Sequence, residues 1–137
     1  ITEPAQVTAR LPGFLDMFTE SRPEKAAFLT AQMDGFFCCA VAALADTGVV
    51  RLSTLALDDQ PVAMLLGFTH GDRINLYNSG FDPKYQGLSV GLLSKAYSIE
   101  ETIGRGMRYD FLKGREIYKY RLGGREVPLH GLRINIS

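Results

Sequence analysis

Three runs of β character follow one another between Val50 and Phe81 with almost nothing between them. In VVRLSTLAL, Val50, Leu52, Thr54 and Ala56 face one way while Arg51, Ser53, Leu55 and Leu57 face the other, the two-residue period of a strand. The turn Asp58-Asp59-Gln60 leads into PVAMLLGFTH, a more continuous apolar run, and Gly71-Asp72 leads into RINLYNSGF. Connections this short join only antiparallel neighbours. An antiparallel meander is therefore the centre of the fold, and the rest of the chain has to pack on it.

Before the meander, LPGFLDMFTESRPEKAAFLTAQMDGFFCCAVAALADTG reads as helical on both sides of Pro23. Phe14, Leu15 and Phe18 recur at helix spacing, and Pro23 suits the first turn of a second helix capped by Ser21. After the meander, Leu92, Leu93, Ala96, Tyr97 and Ile103 recur at three and four, so Ser89 to Gly104 is a helix. MRYDFL is then a strand, REIYKYRLGG a short helix and VPLHGLRINI a strand or a broken pair. The predicted order is α-α-β-β-β-α-β-α-β: an α/β (α+β) domain with a mixed, mostly antiparallel sheet flanked by helices. With 137 residues, one domain spanning 1–137 is expected. The chain opens on Ile1 rather than Met, so either processing or, by preference, a piece cut from a longer protein is expected.

Formal charges cancel, so nucleic acid is not an expected partner. Lys113, Arg115, Lys119, Arg121 and Arg125 form the one basic concentration, read as a solvated helix face or an anion site. Phe36 to Ala45 is too short to cross a bilayer, and no signal core follows the N-terminus. Cys38 and Cys39 are expected as reduced core residues, which favours a cytoplasmic setting. No metal is expected, because neither cysteine has metal-ligand spacing and His70 and His130 stand singly. His70 and Asp72 belong to a solvated hairpin tip.

The loop FDPKYQGLSVGLL carries the chemical signal. Gln86, Gly87, Ser89 and Gly91 stand between a strand and a helix start, where free amides and the helix dipole favour an anion. Glycine for the turn and serine for the cap explain the same residues without a ligand. The spacing is neither the GxGxxG dinucleotide fingerprint nor a Walker loop.

The segment resembles the acyl-coenzyme A loop of the GNAT acyltransferase superfamily: Phe81-Asp82-Pro83 ends the strand, and Gln86-Gly87-Leu88-Ser89-Val90-Gly91 takes the Gln/Arg-x-x-Gly-x-Gly/Ala positions. Ser89 replaces the first motif glycine. Within the superfamily, RLSTLALDDQPVAMLLGFTHGDRINLYNSGFDP, LSVGLL and YDFLKGREIYKYRLG are most similar to the CelD-like acetyltransferases, near the FemAB-like transferases; Asp110-Phe111 and Tyr118-Lys119 match that branch, and Val90 departs from its usual proline. The resemblance implies N-acyl transfer from acetyl-coenzyme A, or another acyl-coenzyme A, to a small-molecule amine. FemAB-type aminoacyl transfer and a non-catalytic binding domain are the alternatives.

By the same resemblance, pantetheine pairs with the strand Tyr77–Phe81, including Ser79 and Phe81. Gln86, Gly87 and the amides of Leu88, Ser89, Val90, Gly91 and Leu92 hold the pyrophosphate. Tyr118 is the candidate acid for the departing thiolate, or a packing residue. Asp110 orients or deprotonates the amine, or pairs with Lys119 or Arg121. Lys119 meets an acidic group of substrate or coenzyme. The branch usually carries a preceding α/β segment, so Phe14 and Phe18 are expected to be exposed where it packed, or covered by a homodimer.

Overall fold

In the computed structural model, which describes residues 1–134, the meander forms as its turns require. β1 (Val50–Leu57), β2 (Gln60–His70) and β3 (Arg73–Phe81) are antiparallel neighbours, and β4 (Arg108–Asp110) joins β3 in parallel. The strand order is β1-β2-β3-β4. At the first turn Asp58 and Asp59 both take left-handed backbone, at φ 48° and 62°, the conformation that tight hairpins need and Asp tolerates.

Helices cover the two faces. On one, α1 (Pro4–Glu20) and α3 (Ala31–Ala45) pack Phe14, Phe18, Phe37 and Val41 against Val50, Leu52, Met64 and Leu66. On the other lies α4 (Val90–Gly104), where the buried Arg51 reaches Glu101 at 2.5 Å and Ser98 and Tyr109 face Leu65. The predicted fold class and element order are thus found, with differences of detail. The second helical stretch is broken at Leu29 and Thr30 into α2 (Pro23–Phe28) and α3, and Thr30 Oγ1 accepts from Met33 N–H at 3.3 Å to start the latter. Ser21 closes α1 instead of capping α2, its hydroxyl donating to Phe18 O.

β4 is shorter than the run MRYDFL suggests. Asp110 Oδ1 accepts from Leu112 N–H at 2.7 Å and Leu112 turns to φ 56°, so the chain leaves the sheet. The helix of REIYKYRLGG shrinks to α5 (Ile117–Arg121). Residues 127–134 form no strand; the rest of the expected final strand lies outside the described residues.

Phe14 and Phe18 are 1% and 3% exposed, at the centre of the core, which corrects the expectation of a patch on α1. On the helices before the sheet, the exposed large apolar side chains are instead Phe28 at the end of α2 and Phe36 and Leu44 on α3, a mostly apolar helix that buries only Phe37, Val41 and Ala45. Cys39 is exposed, which corrects the expectation of a core residue there, while Cys38 on the same helix is half-buried and packs against the core; both are free thiols. Asp72 at the β2–β3 tip is not merely solvated: Arg108 holds it through Nε and Nη2, both at 2.9 Å.

Candidate active site

β3 and β4 pair through Arg73–Arg108, Ile74–Tyr109 and Asn75–Asp110, and then part. From Leu76 to Phe81 the β3 edge on that side has no strand partner among the described residues. The parting opens a cleft of about 360 Å³, bounded by the β3 edge, the start of α4, residues 111–119 and the α1–α2 corner. Opposite β2 the register slips between Leu66 and Gly67, which face Asn78 and Leu76, so Tyr77 is an extra residue in β3. A bulge of this kind strengthens the local twist and redirects the amides beside it.

At the cleft's end the chain passes through a 3₁₀ turn (Pro83–Leu88), started by Asp82 Oδ1 accepting from Lys84 N–H at 2.9 Å, into α4. Ser89 joins the two at φ 53°, ψ 33°, a left-handed conformation that costs a non-glycine residue roughly 1 kcal/mol or more. This is the backbone for which the motif prefers glycine. Ser89 N–H donates to Gln86 O, and Leu92 and Leu93 N–H both donate to Ser89 O. Of the amides expected to hold phosphate, those of Ser89 and Leu92 are thus occupied, and Val90 and Gly91 are left at the helix start. A Cβ on Gly91 would lie 3.0 Å from the Phe81 ring, so that glycine lets the helix sit on the strand end.

Ser79, Phe81, Gln86, Ser89, Val90, Gly91, Leu92, Tyr118 and Lys119 all line the cleft; Gly87, Leu88 and Asp110 do not. Asp110 pairs with Arg73 at 3.0 Å, rather than with Lys119 or Arg121, and both groups are half-exposed. Lys119 is buried, its Nζ donating to Lys113 O at 2.9 Å and meeting Glu116 at 2.8 Å, so it clamps the segment after β4. Tyr118 stacks edge-on against Phe111, and burial, reinforced by the Glu116 carboxylate, pushes its phenol up to about 12.

Two lysines escaped the sequence reading. Lys95 is buried on α4, where its Nζ donates to Gly91 O at 2.7 Å and stands 5.0 Å from the Tyr118 ring centre. Lys25 on α2 donates to Ser79 O at 2.6 Å. Burial lowers both ammonium groups to about 8, with the Arg22 charge adding to the effect on Lys25 and the Lys25 charge to that on Lys95. Lys95 stands four residues after Gly91 on the same face, a spacing that could have marked it; nothing local marks Lys25.

Between about pH 8 and the ordinary lysine value of 10.5, the folded chain binds fewer protons at these sites than the unfolded chain, so stability rises with pH there. Tyr118 has the opposite sign above 10, where only the folded phenol keeps its proton. The urea midpoint should therefore climb above about pH 8 and turn over only above about pH 10.5, where the two lysines no longer outweigh the one phenol, and Lys95→Met should flatten the climb. A variant with the wild-type profile would show that Lys95 is solvated.

No curated protein sequence matches the chain. Among solved structures, it is similar in fold to an aminoglycoside acetyltransferase from an uncultured soil metagenomic sample (TM-score 0.62, 16% identity, covering 98% of this chain and 95% of that one). A second aminoglycoside acetyltransferase from such a sample, in complex with sisomicin, gives 0.58 at 11% identity, covering 96% and 91%. The PaiA N-acetyltransferase of Thermoplasma acidophilum, in complex with coenzyme A, gives 0.52 at 9% identity, covering 73% and 70%. The acetyltransferase (GNAT) domain family matches residues 2–120, across α1, the whole meander, the cleft and most of α5, and the chain belongs to that family.

Proposed function

We propose that the chain moves an acyl group, acetyl in the simplest case, from an acyl-coenzyme A thioester to a small-molecule amine. The observation that carries this reading is the β3 edge from Leu76 to Phe81, without a strand partner among the described residues, leading through the 3₁₀ turn to the open start of α4. A pantetheine arm has amides like a peptide's, so it can add to Leu76–Phe81 as a strand would, while Val90 and Gly91 N–H take the pyrophosphate. Ser79, Phe81 and Gln86 flank that path, and the left-handed turn at Ser89 aims the amides.

The amine nitrogen attacks the thioester carbonyl, the carbon–sulfur bond breaks, and the thiolate needs a proton. Tyr118 lines the cleft and stays protonated at neutral pH, as an acid must. The proton lost by the amine passes to solvent. Asp110 and Lys119 receive structural roles in this reading, Asp110 by ending β4 and Lys119 by holding residues 113–116. Tyr118→Phe should lower turnover roughly 10²-fold with coenzyme affinity unchanged; normal turnover returns Tyr118 to packing against Phe111.

The YDFLKGREIYKYRLG run favours the CelD-like branch, and the free thiols Cys38 and Cys39 suit a reducing cytoplasm. The outward apolar side chains of α3 fit a domain that packs within a longer enzyme. The test is thermal unfolding with coenzyme A and acyl thioesters. A ligand at about 100 times its dissociation constant adds about 2.7 kcal/mol, a rise on the order of 10 °C for a domain of this size. No shift with any thioester would remove the reading.

A further inference from the structure

Arg22 and Lys25 bring two cations to the cleft from the α1–α2 corner. Lys25 Nζ is fixed on the β3 edge, 2.6 Å from Ser79 O and 4.8 Å from the Phe18 ring centre. The Arg22 side chain is 61% exposed and meets Glu24 only at 3.8 Å. Among the described residues, Glu116 is the one carboxylate lining the cleft, and Lys119 already pairs with it at 2.8 Å. Burial, and after it the Arg22 charge, lowers the Lys25 ammonium, so the pair sits in like-charged surroundings at the cleft wall. They call for an anion.

Coenzyme A does not supply it at this place. In the acyl-transfer reading its phosphates are assigned to Val90 and Gly91, with Lys95 one helix turn away, and the pantetheine arm passing Ser79 is uncharged. We propose that Arg22 and Lys25 bind an anionic group of the acceptor, so that the amine receiving the acyl group carries a carboxylate or a phosphate. An ammonium has three donors, so Lys25 can keep Ser79 O and still meet the anion, while the Arg22 guanidinium offers a fork that fits either group. A polycationic acceptor such as sisomicin, which a structural neighbour binds, would meet like charge here. The inference rests on the acyl-transfer reading and names its acceptor class.

Thiol release by the chain with acetyl-coenzyme A tests it on α-amino acids, the corresponding amino acid amides, phosphoethanolamine and sisomicin. The carboxylates or the phosphate should be preferred over the uncharged amides by roughly tenfold or more in kcat/KM, and which of the two leads identifies the anion. Arg22→Gln and Lys25→Met should each raise KM for that amine roughly tenfold with coenzyme affinity unchanged, and Lys25→Arg should restore it. Equal rates for acids and amides, or a preference for sisomicin, overturn the proposal while leaving acyl transfer standing. Loss of coenzyme affinity in Arg22→Gln also overturns it, since the cations then serve the coenzyme. Bound coenzyme with no transfer to any amine overturns acyl transfer, and the proposal with it.

Discussion

Replacing Gly80 with alanine should destabilise the domain by about 3 kcal/mol or more, and replacing it with valine should prevent folding. A Cβ built there lies 2.4 Å from Phe18 N and 2.5 Å from Met17 C, both backbone atoms of α1. A side chain can rotate away from such a contact, but a helix backbone has to move as a body, and α1 carries Val7, Leu11, Phe14, Leu15 and Phe18 into the core. Those residues would be drawn off the sheet together. Gly87→Ala makes the same chemical change where a Cβ meets nothing within 4 Å, and its urea midpoint should stay near wild type. A Gly80→Ala midpoint indistinguishable from that of Gly87→Ala would mean that α1 does not rest on β3 as described.

Gly91→Asp should cost coenzyme affinity on the order of 10³-fold. If coenzyme binds as proposed, a carboxylate at the first turn of α4 would stand beside the phosphates, and two like charges about 4 Å apart near a protein surface repel by about 4 kcal/mol. The added Cβ also presses on the Phe81 ring at 3.0 Å, so Gly91→Ala is the control that carries the crowding without the charge. Unchanged affinity in the aspartate variant places the phosphates elsewhere. Equal losses in the two variants would assign the effect to packing against Phe81 alone.

The meander was legible because its information is local: alternating side chains and turns of two or three residues leave little choice of partner. The junction between β3 and α4 was legible for the same reason, since Gly87 and Gly91 mark a turn and a helix start within the stretch itself, but the left-handed backbone at Ser89 was not, because serine there reads as an ordinary cap. The cleft was not. It depends on where β4 stops, which Asp110 and Leu112 decide through one hydrogen bond and one left-handed residue. Lys25 reaches Ser79 across 54 positions of chain, and no spacing rule announces such a contact. Asp110 shows the converse difficulty, because its partner Arg73 lies on another strand and only the parallel pairing of β3 with β4 brings them together. The buried Phe14 and Phe18 and the exposed Phe36 carry the same lesson: amphipathic spacing tells which residues share a face, and only the packed structure tells which helix turns an apolar face outward.

The short contact between β3 and β4 has a mechanical consequence. Three residue pairs, with the Arg73–Asp110 and Arg108–Asp72 ion pairs beside them, pin the two strands at one end only. The walls of the cleft therefore behave as two levers on a common pivot, and a rotation too small to disturb the pivot widens the far end, near Ser79 and Phe81, by a multiple of that motion. Because two of the pins are ion pairs open to solvent, their share of the stiffness falls as ionic strength rises, and the compliance of the open end becomes a property of the solvent as well as of the chain.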